Sequence, residues 1–154
     1  MTVPPLVLLI ICAVGSSVLA RFMPLFTFSV PMWLVCLELL VGAVFLFPAV
    51  LSFVKNETTV SPLSPAEASI LVTDGVYSIT RNPMYVGMLL LLLGVNFLHG
   101  AASSFVMVLA FFILIDRWQI AVEEENLLNL FGEAYRDYAK RVPRWLFIRQ
   151  AMIK

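Results

Sequence analysis

Two short stretches of this chain concentrate side chains that can do chemistry. In Arg81-Asn82-Pro83-Met84-Tyr85 a cation, an amide and a phenol stand at what reads as a helix start. Pro83 suits the first turn of a helix, where its missing N–H costs nothing, and Asn82 then stands at the N-cap. The N–H groups of that turn point back toward the preceding loop, where they can receive a carboxylate or another acceptor. The second stretch is Glu123-Glu124-Glu125. On a helical wheel centred on Phe131, Glu124 falls within an apolar stripe with Ile120, Leu127 and Phe131. Glu123 falls at its edge and Glu125 points away. A carboxylate on the buried face of a helix needs a partner. Each stretch also has a plainer reading. Asn82-Pro83 can simply open a transmembrane helix, with Tyr85 an interfacial aromatic. The glutamates can form a solvated acidic patch near a helix N-terminus, which suits Glu125 well and Glu124 badly.

The elements that must position these residues are membrane helices. The chain has 154 residues, enough for one domain; 61% are apolar and 13% charged. Soluble domains hold about 45–50% and about 25%. This composition excludes a disordered chain, a nucleic-acid-binding surface and an ordinary soluble enzyme, and it reads as integral membrane. Residues 3–20 form a first uncharged apolar run. Ser17-Val18-Leu19-Ala20 resembles a signal-peptide cleavage site, but no basic region precedes it. Residues 30–54 form a second run, interrupted by Glu38 and expected to kink at Pro48. A polar stretch follows to Pro83, long enough to suggest a function. Runs at 84–98 and 101–115, separated by His99 and Gly100, predict a tight helical hairpin, each arm short for a full crossing.

After Asp116 the character changes. Ile120, Leu127, Phe131, Tyr135 and Tyr138 recur at helical steps, predicting one amphipathic helix over 117–141, ended by Pro143. Trp145, Leu146, Phe147 and Ile148, flanked by Arg144 and Arg149, read as an interfacial anchor. Cys12 and Cys36, both in apolar runs, read as small buried hydrophobes, with no disulfide framework and no metal site. The expected fold is all-α and integral to the membrane, with about four transmembrane helices and a cytoplasmic amphipathic C-terminal helix. Net charge is zero, yet seven of the ten Lys and Arg lie after residue 116. The positive-inside rule therefore puts the C-terminus in the cytoplasm, and four crossings put the N-terminus and the 55–83 loop there too. The hairpin then makes residues 81–87 and 117–125 neighbours.

The segment Gly75-x-Tyr77-x-x-x-Arg81-Asn82-Pro83-x-Tyr85-x-Gly87 resembles the signature of the isoprenylcysteine carboxyl methyltransferase and phospholipid methyltransferase superfamily. The segment Glu123-Glu124-x-x-Leu127-x-x-x-Phe131-Gly132-x-x-Tyr135-x-x-Tyr138-x-x-x-Val142-Pro143 is similar to its second signature. The resemblance extends over roughly residues 69–145, about half the chain. The resemblance implies a membrane methyltransferase using S-adenosyl-L-methionine, with residues 1–54 as two N-terminal helices and 55–154 as the catalytic core. By position, Ser69, Ile70, Leu71, Val72 and Tyr77 would bind the cofactor from the loop, Asn82, Pro83, Met84 and Tyr85 from the helix start, and Glu123, with Glu124 second, from the later motif. None of the seven glycines makes a Gly-x-Gly pair, so a Rossmann-like cradle is absent.

Two positions depart from the pattern. Eukaryotic members carry His where this chain has Asn82, and Asn cannot titrate near neutral pH. They also carry an Arg, thought to hold the substrate carboxylate, where this chain has Gln119. Arg117, inward on the wheel, or Arg81 would take that role. The implied acceptor is a lipid or lipidated group, first an isoprenylcysteine-type carboxylate, which needs no general base. The alternative is N- or S-methylation of a phospholipid or another small apolar acceptor. His99 is placed on the far side. Readings from other classes are a small transporter using Glu38, or a non-catalytic membrane scaffold. In the plainer view Glu38 pairs with a polar group such as Asn96. The implied membrane is the plasma or inner membrane of a prokaryote, or an endomembrane, with no nucleic acid and no obligate protein partner.

Overall fold

A computed structural model describes residues 3–55 and 70–146. Helix α1 (Pro5–Phe22) starts on a proline, where the lost N–H has no intrahelical partner to miss. Helix α2 (Met32–Lys55) runs unbroken through Pro48, and Ser52 Oγ donates to the Pro48 carbonyl at 2.8 Å. A short 3₁₀ turn (Gly75–Ser78) leads to α3 (Pro83–His99). Gly100 ends α3 in the left-handed region at φ +59°, its N–H returning to the Asn96 carbonyl, a glycine-favouring C-cap. A second 3₁₀ turn (Ala102–Ser104) opens α4 (Phe105–Leu114). Next come a π-helical turn (Ile115–Ile120), α5 (Ala121–Phe131) and α6 (Glu133–Arg141). Among the described residues there is no strand. A single bridge between Thr27 and Ala101 joins the α1–α2 loop to the α3–α4 turn, with Phe28 N–H on the Gly100 carbonyl and Ala102 N–H on that of Phe26, both at 2.8 Å. Both short loops thus lie at one end of the bundle, as the hairpin requires.

Pro5–Phe22, Met32–Ser52 and Ala102–Phe131 are each long and apolar enough to cross a membrane; α3 is a shorter apolar helix. The protein is an integral membrane protein, all-helical over the described residues. The fourth apolar run is not short, because the helix does not stop at Asp116. The expected amphipathic helix over 117–141 is instead two pieces. The first part is the direct continuation of α4, and the break falls at Gly132, whose φ +54° and ψ −122° suit only a residue without Cβ.

Helix α2 packs on α3, and α1 packs on α3 and α4. Close approach of α2 and α3 depends on glycine. A Cβ on Gly87 would lie 2.8 Å from Leu46 Cβ and 2.9 Å from the Gly42 carbonyl oxygen, the small-residue packing of membrane helices. Gly87→Ala is therefore expected to lower stability by about 1–3 kcal/mol, read as an earlier thermal transition in detergent. Gly15→Ala is expected to cost less, since the atom it would meet is the flexible Met107 sulfur.

Other sequence expectations change. Cys12 is buried, but Cys36 is exposed on the outer face of α2. Glu38 and Asn96 do not pair: Asn96 donates to the Leu92 carbonyl, while Asn96 Oδ1 and both Glu38 oxygens are buried without a hydrogen-bond partner. Trp145 is not an interfacial anchor. It is 5% exposed, its ring 5.0 Å from that of Phe112. Phe147 and Ile148 lie outside the described residues.

Candidate functional site

At the end of the bundle away from Gly100, α3 begins and the α4–α5 rod passes beside it. The π-helical turn decides what this rod presents. Core positions run Val108 and Phe111 in α4, then Ile115 at the start of the turn. One residue more than an α-turn holds rotates everything on one side of it by about 100° relative to the other. A uniform wheel places Arg117 inward and Gln119 outward; the structure does the reverse. Asp116, Gln119 and Ile120 are buried, whereas the Arg117 side chain is 76% exposed. Arg117 is therefore not a group that faces this site, and Gln119 is.

Gln119 Nε2 and Tyr85 Oη both donate to Glu123 Oε1, at 2.7 and 2.6 Å. Among the described residues no donor reaches Glu123 Oε2. Tyr77 is buried beside this group. Burial, then the nearby Tyr138 and Glu123, pushes its hydroxyl above the ordinary phenol range, so it stays protonated. Tyr138, also pushed up by burial, donates to the Tyr77 carbonyl at 2.7 Å. Val72 and Tyr77 pack with Ala49, with Met84 against them, while Leu71 packs against Tyr135, Tyr138 and Val142.

Glu124 does not join that cluster. It accepts from Arg81 Nε and Nη2, at 3.2 and 2.7 Å, and from Arg144 Nε at 3.1 Å and Nη2. Arg144 Nη1 and Trp145 Nε1 donate to Asp116 Oδ1 at 3.3 and 2.8 Å. Arg81 Nη1 also donates to the carbonyls of Ala139 and Val142, at 2.9 and 2.8 Å, and its backbone N–H to that of Pro143. The Arg144 carbonyl accepts from Thr80 Oγ1 and Asn82 Nδ2. Asn82 thus stands before the helix, but its side chain ties down the C-terminal segment instead of capping α3. Two buried cations and two carboxylates balance here, each held by further hydrogen bonds, as a buried ion cluster requires. Arg81 is spent on this brace.

The structure therefore brings together Tyr77, Tyr85, Gln119 and Glu123, with Leu71, Val72 and Met84 packed close by. Pro83 is buried at the start of α3, Ile70 is exposed, and Ser69 lies outside the described residues. Asp116, Thr80 and Arg144 have parts in the brace that the sequence reading did not assign. The one signal pointing to them was Glu124, a buried-face carboxylate in need of cations.

The sequence profile of the family described as Phospholipid methyltransferase matches residues 30–134, which takes in α2 through α5. The chain belongs to the phospholipid methyltransferase family. Its relatives within this membrane methyltransferase superfamily carry several names. It is 39% identical over 77 residues to the Protein-S-isoprenylcysteine O-methyltransferase of Schizosaccharomyces pombe, covering 48% of this chain and 31% of that protein. To Protein-S-isoprenylcysteine O-methyltransferase B of Arabidopsis thaliana it is 31% identical over 108 residues, 68% of this chain and 53% of the other. To the Methanethiol S-methyltransferase of Pseudomonas deceptionensis it is 33% identical over 81 residues, 53% and 29%. The chain thus spans 53% or less of the length of each of these three relatives. No solved structure matches it. Both polar clusters draw on the stretch from α3 to α5 that the family profile covers, while the segment from Ala139 to Trp145 that closes the brace lies beyond it.

Proposed function

We propose that the chain is a membrane methyltransferase that uses S-adenosyl-L-methionine and methylates a lipid or lipidated acceptor. The observation that carries this reading is Glu123: Tyr85 and Gln119 fix one oxygen and leave the other for a donor from outside the protein. The fit to the cofactor is chemical. A held carboxylate suits an ammonium or ribose hydroxyls, and the tyrosines and apolar side chains nearby suit a purine and a thioether. When bound, the cofactor supplies an electrophilic methyl on a sulfonium. Tyr77, Asn82, Pro83, Met84 and Tyr85, with Leu71 and Val72, would form its walls; Ser69 and Ile70 belong to the same proposed set by motif position alone, whereas Glu124, given that role by position, is held by Arg81 and Arg144.

The protein's remaining tasks are alignment and exclusion of water. A carboxylate acceptor needs no base, and His99 lies at the other end of the bundle, its Nε2 3.0 Å from Ser17 Oγ. The isoprenylcysteine-type carboxylate is the first acceptor to test, because two of the three relatives described above carry that name. A second reading, methylation of an uncharged thiol or small apolar acceptor, is favoured by one observation. Arg81 is fully engaged and Arg117 points away, so neither expected cation faces Glu123, whereas Gln119 does. Incubation with methyl-labelled S-adenosylmethionine, a prenylated cysteine, an alkanethiol and total lipid extract should place label in one of them. Labelled product from none, with the cofactor not retained, would refute the proposal.

We read residues 1–154 as one domain, with this site and both termini in the cytoplasm. In a variant with Cys12 and Cys36 replaced, Asp137→Cys should react with a membrane-impermeant maleimide from the cytoplasmic side, and Ala102→Cys only from the opposite side. Both residues are exposed.

A further inference from the structure

We propose that Arg117 and Trp118 dock the phosphate headgroup of an anionic membrane lipid on the outer face of the fourth helix. This does not depend on the methyl-transfer reading. The π-helical turn buries Asp116 and Gln119 and swings the two residues between them outward, Arg117 at 76% side-chain exposure and Trp118 at 67%. They continue a lipid-facing stripe: Val106, Leu109 and Ile113 are exposed on α4 at helical spacing. A cation follows immediately below that apolar face, at the level where the polar clusters begin, which is where headgroups lie. Among the described residues its one ionic neighbour is weak. Arg117 Nε stands 3.8 Å from Asp116 Oδ2, on a carboxylate whose other oxygen already holds Arg144 and Trp145. The guanidinium fork is left open, and its geometry matches two phosphate oxygens. Trp118 adds an amphipathic ring suited to the same depth. Two exposed cations of α6 differ, since Arg136 and Lys140 pair with Glu133 and Asp137 at 2.5 and 2.9 Å, and the third, Arg141, donates its Nε to the Asp137 carbonyl at 3.2 Å.

The test is lipid selectivity of the full chain in nanodiscs of phosphatidylcholine doped with spin-labelled phosphatidylglycerol or spin-labelled phosphatidylcholine. The motionally restricted fraction reports the lipid held against the protein. The wild type should hold phosphatidylglycerol preferentially. Arg117→Gln should reduce that preference by about five-fold, the worth of roughly 1 kcal/mol for one basic residue at an anionic surface. Arg117→Lys should keep part of it, and Arg136→Gln should leave it unchanged. Thermal transitions in detergent check that each variant is folded. Undiminished preference in Arg117→Gln would overturn the proposal. So would equal loss in the Lys and Gln variants, or displacement of the lipid by millimolar inorganic phosphate, which would make this a site for a soluble anion.

Discussion

Glu123→Ala should weaken S-adenosylmethionine binding by about 10- to 100-fold, while Glu125→Ala should leave it near the wild-type value. The size follows from removing a charged hydrogen-bond acceptor, about 1.5–3 kcal/mol. The difference between neighbours follows from placement. Glu123 is pinned by Tyr85 and Gln119, whereas Glu125 is exposed. Tyr85→Phe and Gln119→Ala should each cost less than Glu123→Ala, because each only orients the carboxylate. Calorimetric titration of detergent-solubilised protein measures all four. Equal, negligible effects would remove Glu123 from the proposed site.

A different outcome is expected one residue along. Glu124→Ala should destabilise the fold by about 3–5 kcal/mol, the cost of breaking a buried ion cluster and leaving its cations unpaired. Arg81 and Arg144 would face one another with only Asp116 and backbone carbonyls between them. Arg144→Ala should act similarly, stranding Glu124 and Asp116. Arg136→Ala removes an exposed pair with Glu133 and should change stability by no more than about 1 kcal/mol. Thermal unfolding in detergent separates these cases. If Glu124→Ala melts like the wild type but loses cofactor, Glu124 is a ligand and not part of a brace.

The helical wheel and the motif position rank these two adjacent glutamates in opposite orders. The wheel put Glu124 on the inner face, and that was sound, because nothing irregular separates it from Phe131. It did not say that the partners would be Arg81 and Arg144, which lie 43 and 20 residues away. Upstream of Ile120 the wheel failed for a definite reason. It assumes a constant turn, and Ile115-Asp116-Arg117-Trp118-Gln119-Ile120 forms a wider one. No residue in that hexapeptide announces a π-helical turn, so Arg117 and Gln119 exchanged faces unnoticed. Hydropathy made the helices legible, and His99-Gly100 made the hairpin legible. Gly132 was visible as a motif glycine, yet periodicity alone carried the helix across it. Gly87 now has a physical reason for its place in the first signature: α2 leaves no room there for a side chain.

The brace also has a consequence for how the protein is made. A ribosome delivers the chain from its N-terminus, so Arg81 and Glu124 leave it before the segment from Ala139 to Trp145 that completes their bonding. Until that segment emerges, Arg81 lacks the carbonyls of Ala139, Val142 and Pro143, and Asp116 lacks the hydrogen bonds from Arg144 and Trp145. Membrane insertion and completion of the polar end are therefore separate events in time. Chains truncated just short of residue 139 and released from the ribosome should be integrated into the bilayer yet remain open to protease around Thr80, and chains that run past Trp145 should be protected there.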